Sequence, residues 1–461
     1  MHYLPHTPED IAHMLEVIGV DSIDALFADM PQALHNPNIN VPAGLDEVSL
    51  LNHLRDLAAK NQTPTGGLLG GGTRQHFIPS VTPHLAMQSE FVTAYTPYQP
   101  EVAQGLLQAT FEYQSMMAEL TGLPISNASM YDGASSVAEA ALLAVRQTKR
   151  KRVVVSTGVH PEAREVMATY LKPLDIAISE VNLEQLTTST DVISNELGDD
   201  VACVIVQNPN FLGYLETMPT LAEATHDVGA LFIAVVDPLS LAVLASPAEY
   251  GADIAVGDGQ VLGNPTNFGG PSFGFMTVTD ALLRQLPGRI VGETTDVDGK
   301  RAFVLTLQAR EQHIRRSKAK SNICSNHQLA ALMATVNMAA LGPQGLVELA
   351  TSSVRAAHTL ANKLEASSLN VLRGTFFNEF VVQTNRPATD VRRLLAEHNI
   401  HAGVPVSPSY GLGDAIILAA TELTQDDDII NLVDALSEID ANIDANQVDT
   451  PVEKVLEVAH D

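Results

Sequence analysis

The first regular pattern of apolar residues along the chain has helical spacing. Apolar side chains from Ile11 to Ile18 recur on one helical face. Thr7, followed by a proline and then an acidic residue, is a typical N-cap, and Gly19 is a typical stop signal. We therefore predict a helix over residues 8–18, within an N-terminal helical arm that extends over residues 1–60.

A different pattern follows the glycine- and proline-rich stretch TPTGGLLGGGTRQHFIPS, which favours a loop. Amphipathic spacing predicts one helix from Leu106 to Gly122 and a second from Ser135 to Lys149. Continuous apolar runs then alternate with helical segments, as is typical of a parallel sheet buried on both faces. These runs are RVVVST, VACVIVQNP, LFIAVVDP and ADIAVGDG. We predict a large α/β domain over residues 61–340.

The pattern changes again near the turn sequence LGPQG, at residues 341–345. Strand-like runs, FFNEFVVQT and AIILAAT, flank the helical segment ATDVRRLLAEHN, and Thr424 is a cap for a last helix. This order predicts a smaller α+β domain over residues 341–448. The residues 449–461 form an acidic tail in this prediction.

Composition restricts the classes of partner. The 461 residues carry 54 acidic and 26 basic side chains, a net charge of −28, which argues against binding to nucleic acid. No 18-residue apolar window and no signal-peptide pattern occur, so we expect no membrane segment. The only cysteines, Cys203 and Cys324, suit a reducing compartment, and we expect a cytoplasmic protein.

The basic residues are concentrated in two segments, RQTKRKR and REQHIRRSKAK. The first ends a predicted helix, where cations favour the helix dipole. The second has two interpretations: its cations bind an acidic partner, or they form ion pairs between domains. Its cations are Arg310, Arg315, Arg316, Lys318 and Lys320.

Polar residues follow several of the predicted strands, at the sheet edge where α/β proteins bind ligands. A pyridoxal-phosphate site needs a phosphate cradle at a helix N-terminus, a stacking group, a carboxylate for the pyridine nitrogen, and a lysine. The sequence offers the first three in the order of the aminotransferase-like (type I) fold, although each group also has an ordinary structural interpretation. The candidates are Gly133, Ser135 and Ser136 for phosphate, His160 for stacking, and Asp237 for the ring nitrogen.

The fourth group is missing. The segment DGQVLGNPTNFGGP, residues 258–271, has the form of the loop that carries the cofactor lysine, but Gln260 stands at the expected position. No lysine occurs between Lys172 and Lys300. Glutamine cannot form an imine, so a mechanism that depends on such a lysine cannot be completed within this chain.

Long motifs resemble one family. TAYTPYQPEVAQGLL, QNPNFLGYLE, GRIVGETTDVDGKRAFVLTLQAREQHIRRSKAKSNICSN and FFNEFVV are similar to the P-protein (glycine decarboxylase) of the glycine cleavage system. The resemblance runs from YLPHTPEDI to ATELTQDDD. The sequence departs from the family pattern near Arg74, where an aromatic residue is expected, and at Ser317, where an acidic residue is common.

The resemblance implies a shared enzyme. P-proteins are single chains of two homologous halves or pairs of separate subunits, and this chain looks like subunit 1, the α subunit. The family decarboxylates glycine on pyridoxal phosphate and passes the aminomethyl group to the lipoyl arm of the H-protein. The cofactor lysine then belongs to subunit 2, in an α2β2 assembly, and no covalently bound cofactor or metal is expected on this chain.

Three groups of residues are candidates for supporting the partner's site. The proline-rigidified loop with Tyr95, Tyr98 and Gln99 is suited to form an active-site wall at the interface, although both tyrosines would equally pack on the following helix. The basic segment is a candidate for H-protein docking. His160, Asn208 and Asn210, with the phosphate-cradle residues and Asp237, would be a degenerate cofactor pocket.

Two other functions stay open at this point. The first is a free-standing binding or regulatory protein that keeps a pyridoxal-type pocket. The second is a complete lyase or transaminase that uses an unexpected lysine, such as Lys318 or Lys320, although both lie outside the expected loop. A partner chain that carries a lysine after a strand-end aspartate would favour the two-subunit enzyme.

Overall fold

The computed structural model describes residues 5–35, 37–61, 67–93 and 95–441. The chain divides into two units, residues 1–63 and 64–461. The predicted acidic tail lies outside the described residues, as do residues 442–448 of the predicted small domain. The helices are α1 Pro8–Ile18, α2 Glu47–Ala58, α3 Val81–Ala86, α4 Ser89–Val92, α5 Gln104–Thr121, α6 Gly133–Thr148, α7 Pro161–Leu171, α8 Thr190–Glu196, α9 Met218–Asp227, α10 Gln312–Arg315, α11 Gln328–Ala366, α12 Ala388–Glu397 and α13 Asp426–Ala441.

The N-terminal unit contains α1 and α2. Helix α1 has the predicted bounds: the Thr7 hydroxyl and the Asp10 carboxylate form a capping box, and Gly19 ends the helix in the left-handed conformation at φ 83°. Asp46 caps α2 through the backbone N–H of Ser49. No residue of either helix is buried.

A seven-stranded sheet forms the centre of the second unit, in the order β1-β7-β6-β5-β4-β2-β3. Strands β2 to β6 are parallel, whereas β7 pairs antiparallel with β6 and with β1. The four apolar runs form the predicted strands. The strands are β1 Ile125–Ser126, β2 Arg152–Ser156, β3 Ala177–Val181, β4 Val201–Asn208, β5 Leu231–Val236, β6 Ile254–Asp258 and β7 Gly274–Val278.

Both faces of this sheet are covered. Because side chains alternate along a strand, Val204 and Val206 of β4 pack in one core with α5, α9 and α11, while Cys203 and Ile205 pack in another with α6 and α7. The sheet is therefore buried on both sides, as the continuous apolar runs predicted.

Helix α11 runs from the core beside the seven-stranded sheet to the core of the four-stranded sheet. It bends at Gly342, where φ is 66°, just before Pro343. The predicted boundary at residue 341 thus falls on a kink within one helix. By length and composition α11 is long and apolar enough to cross a membrane. Its buried residues, such as Met338 and Leu360, instead belong to the two hydrophobic cores on either side of the kink.

The region predicted as a small domain contains a four-stranded antiparallel sheet, in the order β10-β11-β13-β12, packed with α12 and α13. A separate hairpin, β8 with β9, precedes the basic segment. These strands are β8 Ile290–Thr295, β9 Arg301–Thr306, β10 Asn370–Val371, β11 Glu379–Gln383, β12 Val404–Pro405 and β13 Ala415–Ala419.

Candidate functional site

A cavity of about 400 Å³ opens at the carboxyl ends of the parallel strands. The glycine-rich loop 71–74, the start of α6, the ends of β5 and β6, and Glu379 of β11 line it. Four of the predicted pocket residues meet there: Gly133, His160, Asp237 and Gln260. The sheet edge therefore forms a pocket where the sequence predicted one.

Arg74 occupies the charged centre of this pocket. Its side chain is 5% exposed and pairs with two carboxylates, Asp237 after β5 and Glu379, the latter at 2.7 Å from Nη1. Burial alone would lower the pKa of the guanidinium, but Glu379 and Asp237 raise it above its ordinary value. Asp237, the carboxylate predicted to face a pyridine nitrogen, therefore already has a cationic partner within the chain.

Gln260, at the lysine position, is held by its own hydrogen bonds. It begins a short 3₁₀ turn, Gln260–Leu262, and is 7% exposed. Its Oε1 accepts from the backbone N–H of Arg74 at 3.3 Å, and its Nε2 donates to the Asn264 carbonyl at 2.8 Å. The amide thus fixes the glycine-rich loop against the lysine-loop segment.

Backbone N–H groups at the start of α6 donate hydrogen bonds to carboxylates of the chain itself. Asp132 accepts from the backbone N–H of Ser135 at 2.7 Å, and Asp258 accepts from that of Gly133 at 3.0 Å. The hydroxyls of Ser135 and Ser136 donate to the Asp132 carbonyl. Burial raises the pKa of Asp258. A phosphate placed here would meet two acidic side chains in place of free donors.

His160 lies between the glycine-rich loop and an aromatic ring. Its Nε2 is 3.0 Å from the Gly71 carbonyl oxygen, and the Phe211 ring meets it nearly edge-on, with 4.9 Å between centroids. Gly72 has φ 107°, and a Cβ there would approach the imidazole to 3.3 Å. The loop therefore packs against the imidazole that was predicted to stack on a cofactor.

Asn208 and Asn210 do not line the cavity. Asn208 accepts from the backbone N–H of Glu216 at 3.0 Å, and Asn210 donates to the Glu216 carboxylate at 2.8 Å. Asn210 also accepts from the backbone N–H groups of Leu212 and Tyr214. Burial raises the pKa of Glu216. Both asparagines shape the turn after β4.

These contacts test the pocket as a pyridoxal-phosphate site, and its residues do not fit that cofactor. The lysine position holds an amide, the phosphate donors are paired with carboxylates, and the ring-nitrogen carboxylate is paired with Arg74. Within the described residues, no group of three histidine, cysteine, aspartate or glutamate side chains is arranged to hold a metal ion.

The Tyr95–Tyr98 loop lies on the surface. Tyr95 is 81% exposed and its hydroxyl is 2.6 Å from Ser325 Oγ, so it does not pack on the following helix. Tyr98 is half-exposed, with the His313 ring 5.7 Å away and the Arg289 guanidinium 5.8 Å from its ring centroid. Gln99 is exposed beside it.

The basic segment separates into two kinds of residue. Arg310 is partly buried and donates to the carbonyls of Leu286, Gly288 and Leu307, and burial lowers its pKa. It therefore ties the segment to the domain. Arg315, Arg316 and Lys318 are exposed, whereas Lys320 is partly buried like Arg310. Arg316 lies outside the cavity that the other cations line. That second cavity, of about 380 Å³, is lined by Arg284, Leu307, Ala309, Arg310, Arg315, Lys318 and Lys320.

The sequence analysis did not identify four further residues of these regions. Arg74 and Glu379 line the cavity at the strand ends, and Arg289 and Asn326 lie near the Tyr95–Tyr98 loop. Arg74 carried a signal, because it is the only lysine or arginine between Lys60 and Arg146 and lies in a glycine-rich loop. Glu379 carried another, as a charged residue within the apolar run FFNEFVV. Arg289 and Asn326 lie at the two ends of the quoted motif that begins GRIVGETT and ends SNICSN, but nothing in that motif indicates that their side chains are buried.

Comparison with known proteins agrees with this architecture. A Burkholderia pseudomallei sphingosine-1-phosphate lyase matches 88% of the chain with a TM-score of 0.62 and 14% identity, which supports the fold alone. A crystal structure of glycine decarboxylase (P-protein) of the glycine cleavage system, in inhibitor-bound form, has a TM-score of 0.88 and 52% identity. It covers 95% of this chain and 100% of that one. The predicted type I fold of pyridoxal-phosphate enzymes is confirmed.

Sequence relatives carry one description. The chain is 48% identical over 440 residues to probable glycine dehydrogenase (decarboxylating) subunit 1 of Moorella thermoacetica, covering 95% of this chain and 99% of the relative. The protein of the same description from Geobacillus kaustophilus is 47% identical over 441 residues. The family model for the glycine cleavage system P-protein matches residues 1–436. This chain belongs to the glycine cleavage system P-protein family.

Proposed function

We propose that this chain is subunit 1 of a two-subunit glycine dehydrogenase (decarboxylating) and that subunit 2 holds the pyridoxal phosphate covalently. As a member of the P-protein family the chain has a role in glycine cleavage. The observation that carries the proposal is Gln260, a hydrogen-bonded amide at the lysine position of a pocket whose carboxylate is already paired with Arg74. A chain in this state needs a partner to supply the lysine.

In this proposal the chain acts through its surface. Pyridoxal phosphate, when bound in the complex, delocalises the carbanion left by loss of CO2 from glycine. Tyr95, Tyr98 and Gln99 of this chain form part of the wall around that site, where they exclude water and position the reacting groups. Their exposure leaves them free to contact a second chain.

The basic cavity is the proposed docking position for the lipoylated H-protein. Arg315 and Lys318 are exposed, and none of the described residues that line the cavity is acidic. On a protein with a net charge of −28, this concentration of cations favours an acidic partner. Arg310, in contrast, is proposed to hold the segment in place, because it already donates to three carbonyls.

The test is glycine–bicarbonate exchange with lipoylated H-protein and pyridoxal phosphate, on this chain alone and mixed with subunit 2. Exchange only in the mixture is the expected result. Exchange by this chain alone would mean that another lysine carries the cofactor. If the mixture is inactive and this chain binds pyridoxal phosphate reversibly, the free-standing binding protein becomes the better interpretation.

Docking and assembly have their own measurements. Charge reversal by K318E with K320E should raise KM for the H-protein and reduce the dependence of that KM on salt. An unchanged KM would remove the basic cavity from docking.

We propose an α2β2 assembly in the cytoplasm, for which sedimentation of the mixed subunits gives the stoichiometry.

A further inference from the structure

Arg289 is a buried cation with no acidic partner in the part of the chain that the structure describes. The residue is 4% exposed and lies just before β8. One Nη donates to the Thr96 hydroxyl at 3.2 Å, while Nε is buried and has no hydrogen-bond partner. Among the described residues, no carboxylate forms a salt bridge with it. Buried charges are ordinarily paired, because an unpaired one loses its hydration without compensation.

Asn326 also has buried side-chain atoms without hydrogen-bond partners among the described residues. It is 7% exposed, and both its Oδ1 and its Nδ2 are buried without a hydrogen-bond partner. Buried side-chain amides are ordinarily satisfied. Arg289 and Asn326 thus both carry buried side-chain atoms that have no hydrogen-bond partner among the described residues, which indicates an incomplete site.

The Tyr95–Tyr98 loop contacts Arg289 and the residue that precedes Asn326. Tyr95 bonds to Ser325, which precedes Asn326, and the next residue, Thr96, bonds to Arg289. The Tyr98 ring lies over the Arg289 guanidinium. We refer to Tyr95, Tyr98, Arg289 and Asn326 as the Arg289 face.

The chemistry of this face is that of an oxyanion receptor. A guanidinium offers N–H donors in a planar fork that matches carboxylate and phosphate, and the amide of Asn326 adds a further donor. The exposed phenols at its edge are apolar walls with hydroxyl donors. Nothing acidic among the described residues competes for the guanidinium.

We propose that Arg289 binds an oxyanion, carboxylate or phosphate, that enters with the active site of subunit 2. This inference rests on the proposed two-subunit function. Three sources share the chemistry: an acidic side chain of subunit 2, the phosphate of its cofactor, or the carboxylate of glycine. Binding of the oxyanion completes the pairing that Arg289 lacks in the free chain.

The experiment compares R289M with the wild-type chain, and with R301M as the matched control. Arg301 is an exposed arginine paired with Glu293. In the isolated chain, R289M should raise the melting temperature by about 1–3 °C, because an unpaired buried charge has been removed. R289K keeps the charge without the fork, so it should recover part of any lost binding.

Three measurements on the complex then identify the source. Weaker association with subunit 2 lacking pyridoxal phosphate, by about tenfold or more, identifies an acidic side chain of subunit 2. Unchanged association with weaker binding of pyridoxal phosphate identifies the cofactor phosphate. A raised KM for glycine, with association and cofactor binding unchanged, identifies the substrate carboxylate.

If R289M matches R301M in all three measurements, the inference is wrong. If the wild-type mixture fails to associate or to catalyse exchange, the proposed function has failed instead, so the two failures are distinguishable. Should R289M not fold, R289K is measured in its place: a loss in one of the three measurements then supports the inference, and wild-type values in all three overturn it.

Discussion

Two arginines of this chain are almost equally buried and differ in what surrounds them. Arg74 is 5% exposed and lies between the carboxylates of Asp237 and Glu379. Arg289 is 4% exposed and no acidic side chain of the described residues pairs with it. The Nε of each arginine lacks a hydrogen-bond partner among the described residues, so the two differ in charge pairing: the Arg74 guanidinium is paired with carboxylates and the Arg289 guanidinium is not.

The two regions differ in whether their buried polar groups are paired within the chain. In the pocket, the positions expected to bind a cofactor are occupied by internal contacts, including the amide of Gln260 and the N-terminal donors of α6. On the Arg289 face, a buried cation and a buried amide are left for another molecule. The chain therefore pairs the polar groups of its own pocket and leaves buried polar groups on the Arg289 face without partners.

Breaking the paired arginine should have the largest effect. R74M leaves Asp237 and Glu379 buried without a cation, so the free energy of unfolding should fall by about 3–5 kcal/mol. Urea denaturation measures this change. The triple variant R74M/D237N/E379Q should recover part of the loss, because no charge is then left unpaired. A wild-type unfolding free energy for R74M would contradict the pairing.

Restoring the lysine should fail. In Q260K a second cation is placed beside the Arg74 backbone in a pocket that already holds one, and the hydrogen bonds to Arg74 and Asn264 are lost. We expect destabilisation of about 1–3 kcal/mol and no glycine decarboxylation by the isolated chain. Exchange assays and cofactor absorbance are the readouts. Appreciable activity from this single change would refute the degenerate pocket.

Removing the phenol hydroxyls tests the other side of the comparison. The Y95F/Y98F chain keeps its rings and loses the bond from Tyr95 to Ser325, which is exposed. The turnover of the complex should fall by about threefold to tenfold while the melting temperature of the chain stays the same. Y410F is the control for loss of a phenol hydroxyl outside the Arg289 face, since the Tyr410 hydroxyl donates to the Thr157 carbonyl. Unchanged turnover would exclude both tyrosines from the site.

The smallest expected effect is the contribution of one pocket carboxyl group, Asp258, to the pH dependence of the free energy of unfolding. Burial raises the pKa of Asp258 in the folded chain, so the folded state binds its proton more tightly than the unfolded state. Stability from this group should therefore fall as pH rises through the interval from the unfolded to the folded pKa. Denaturation of D258N across that interval should show a flatter pH dependence. An identical slope would assign the effect to other buried acids.

Local chemistry explains which parts of the fold the sequence predicted. The bounds of α1 follow from Thr7 and Gly19, and the strands β2, β4, β5 and β6 follow from continuous apolar runs. The cavity at their carboxyl ends follows from the topology of such sheets. These features need only neighbouring residues and a general rule of sheet architecture.

The charged contacts of the site do not follow from such rules. Arg74 pairs with side chains 163 and 305 positions away in sequence, and no local pattern specifies those partners. Arg310 appears in sequence as one cation in a basic run, but its donors are used by backbone carbonyls of the Leu286–Gly288 turn and Leu307. Tertiary structure therefore decides which cationic side chains are hydrogen-bonded within the chain and which remain accessible.

The Arg74 pairing also constrains how this chain can evolve. A return to a lysine-bearing pocket requires Gln260 to become lysine, Arg74 to be lost and Glu379 to be neutralised. Losing Arg74 first leaves Asp237 and Glu379 without a cation, and placing a lysine at position 260 first brings a second cation close to Arg74, so either of these paths passes through a less stable protein. The paired arginine therefore makes protein stability oppose these two routes back to a lysine-bearing pocket, independently of any selection on catalysis.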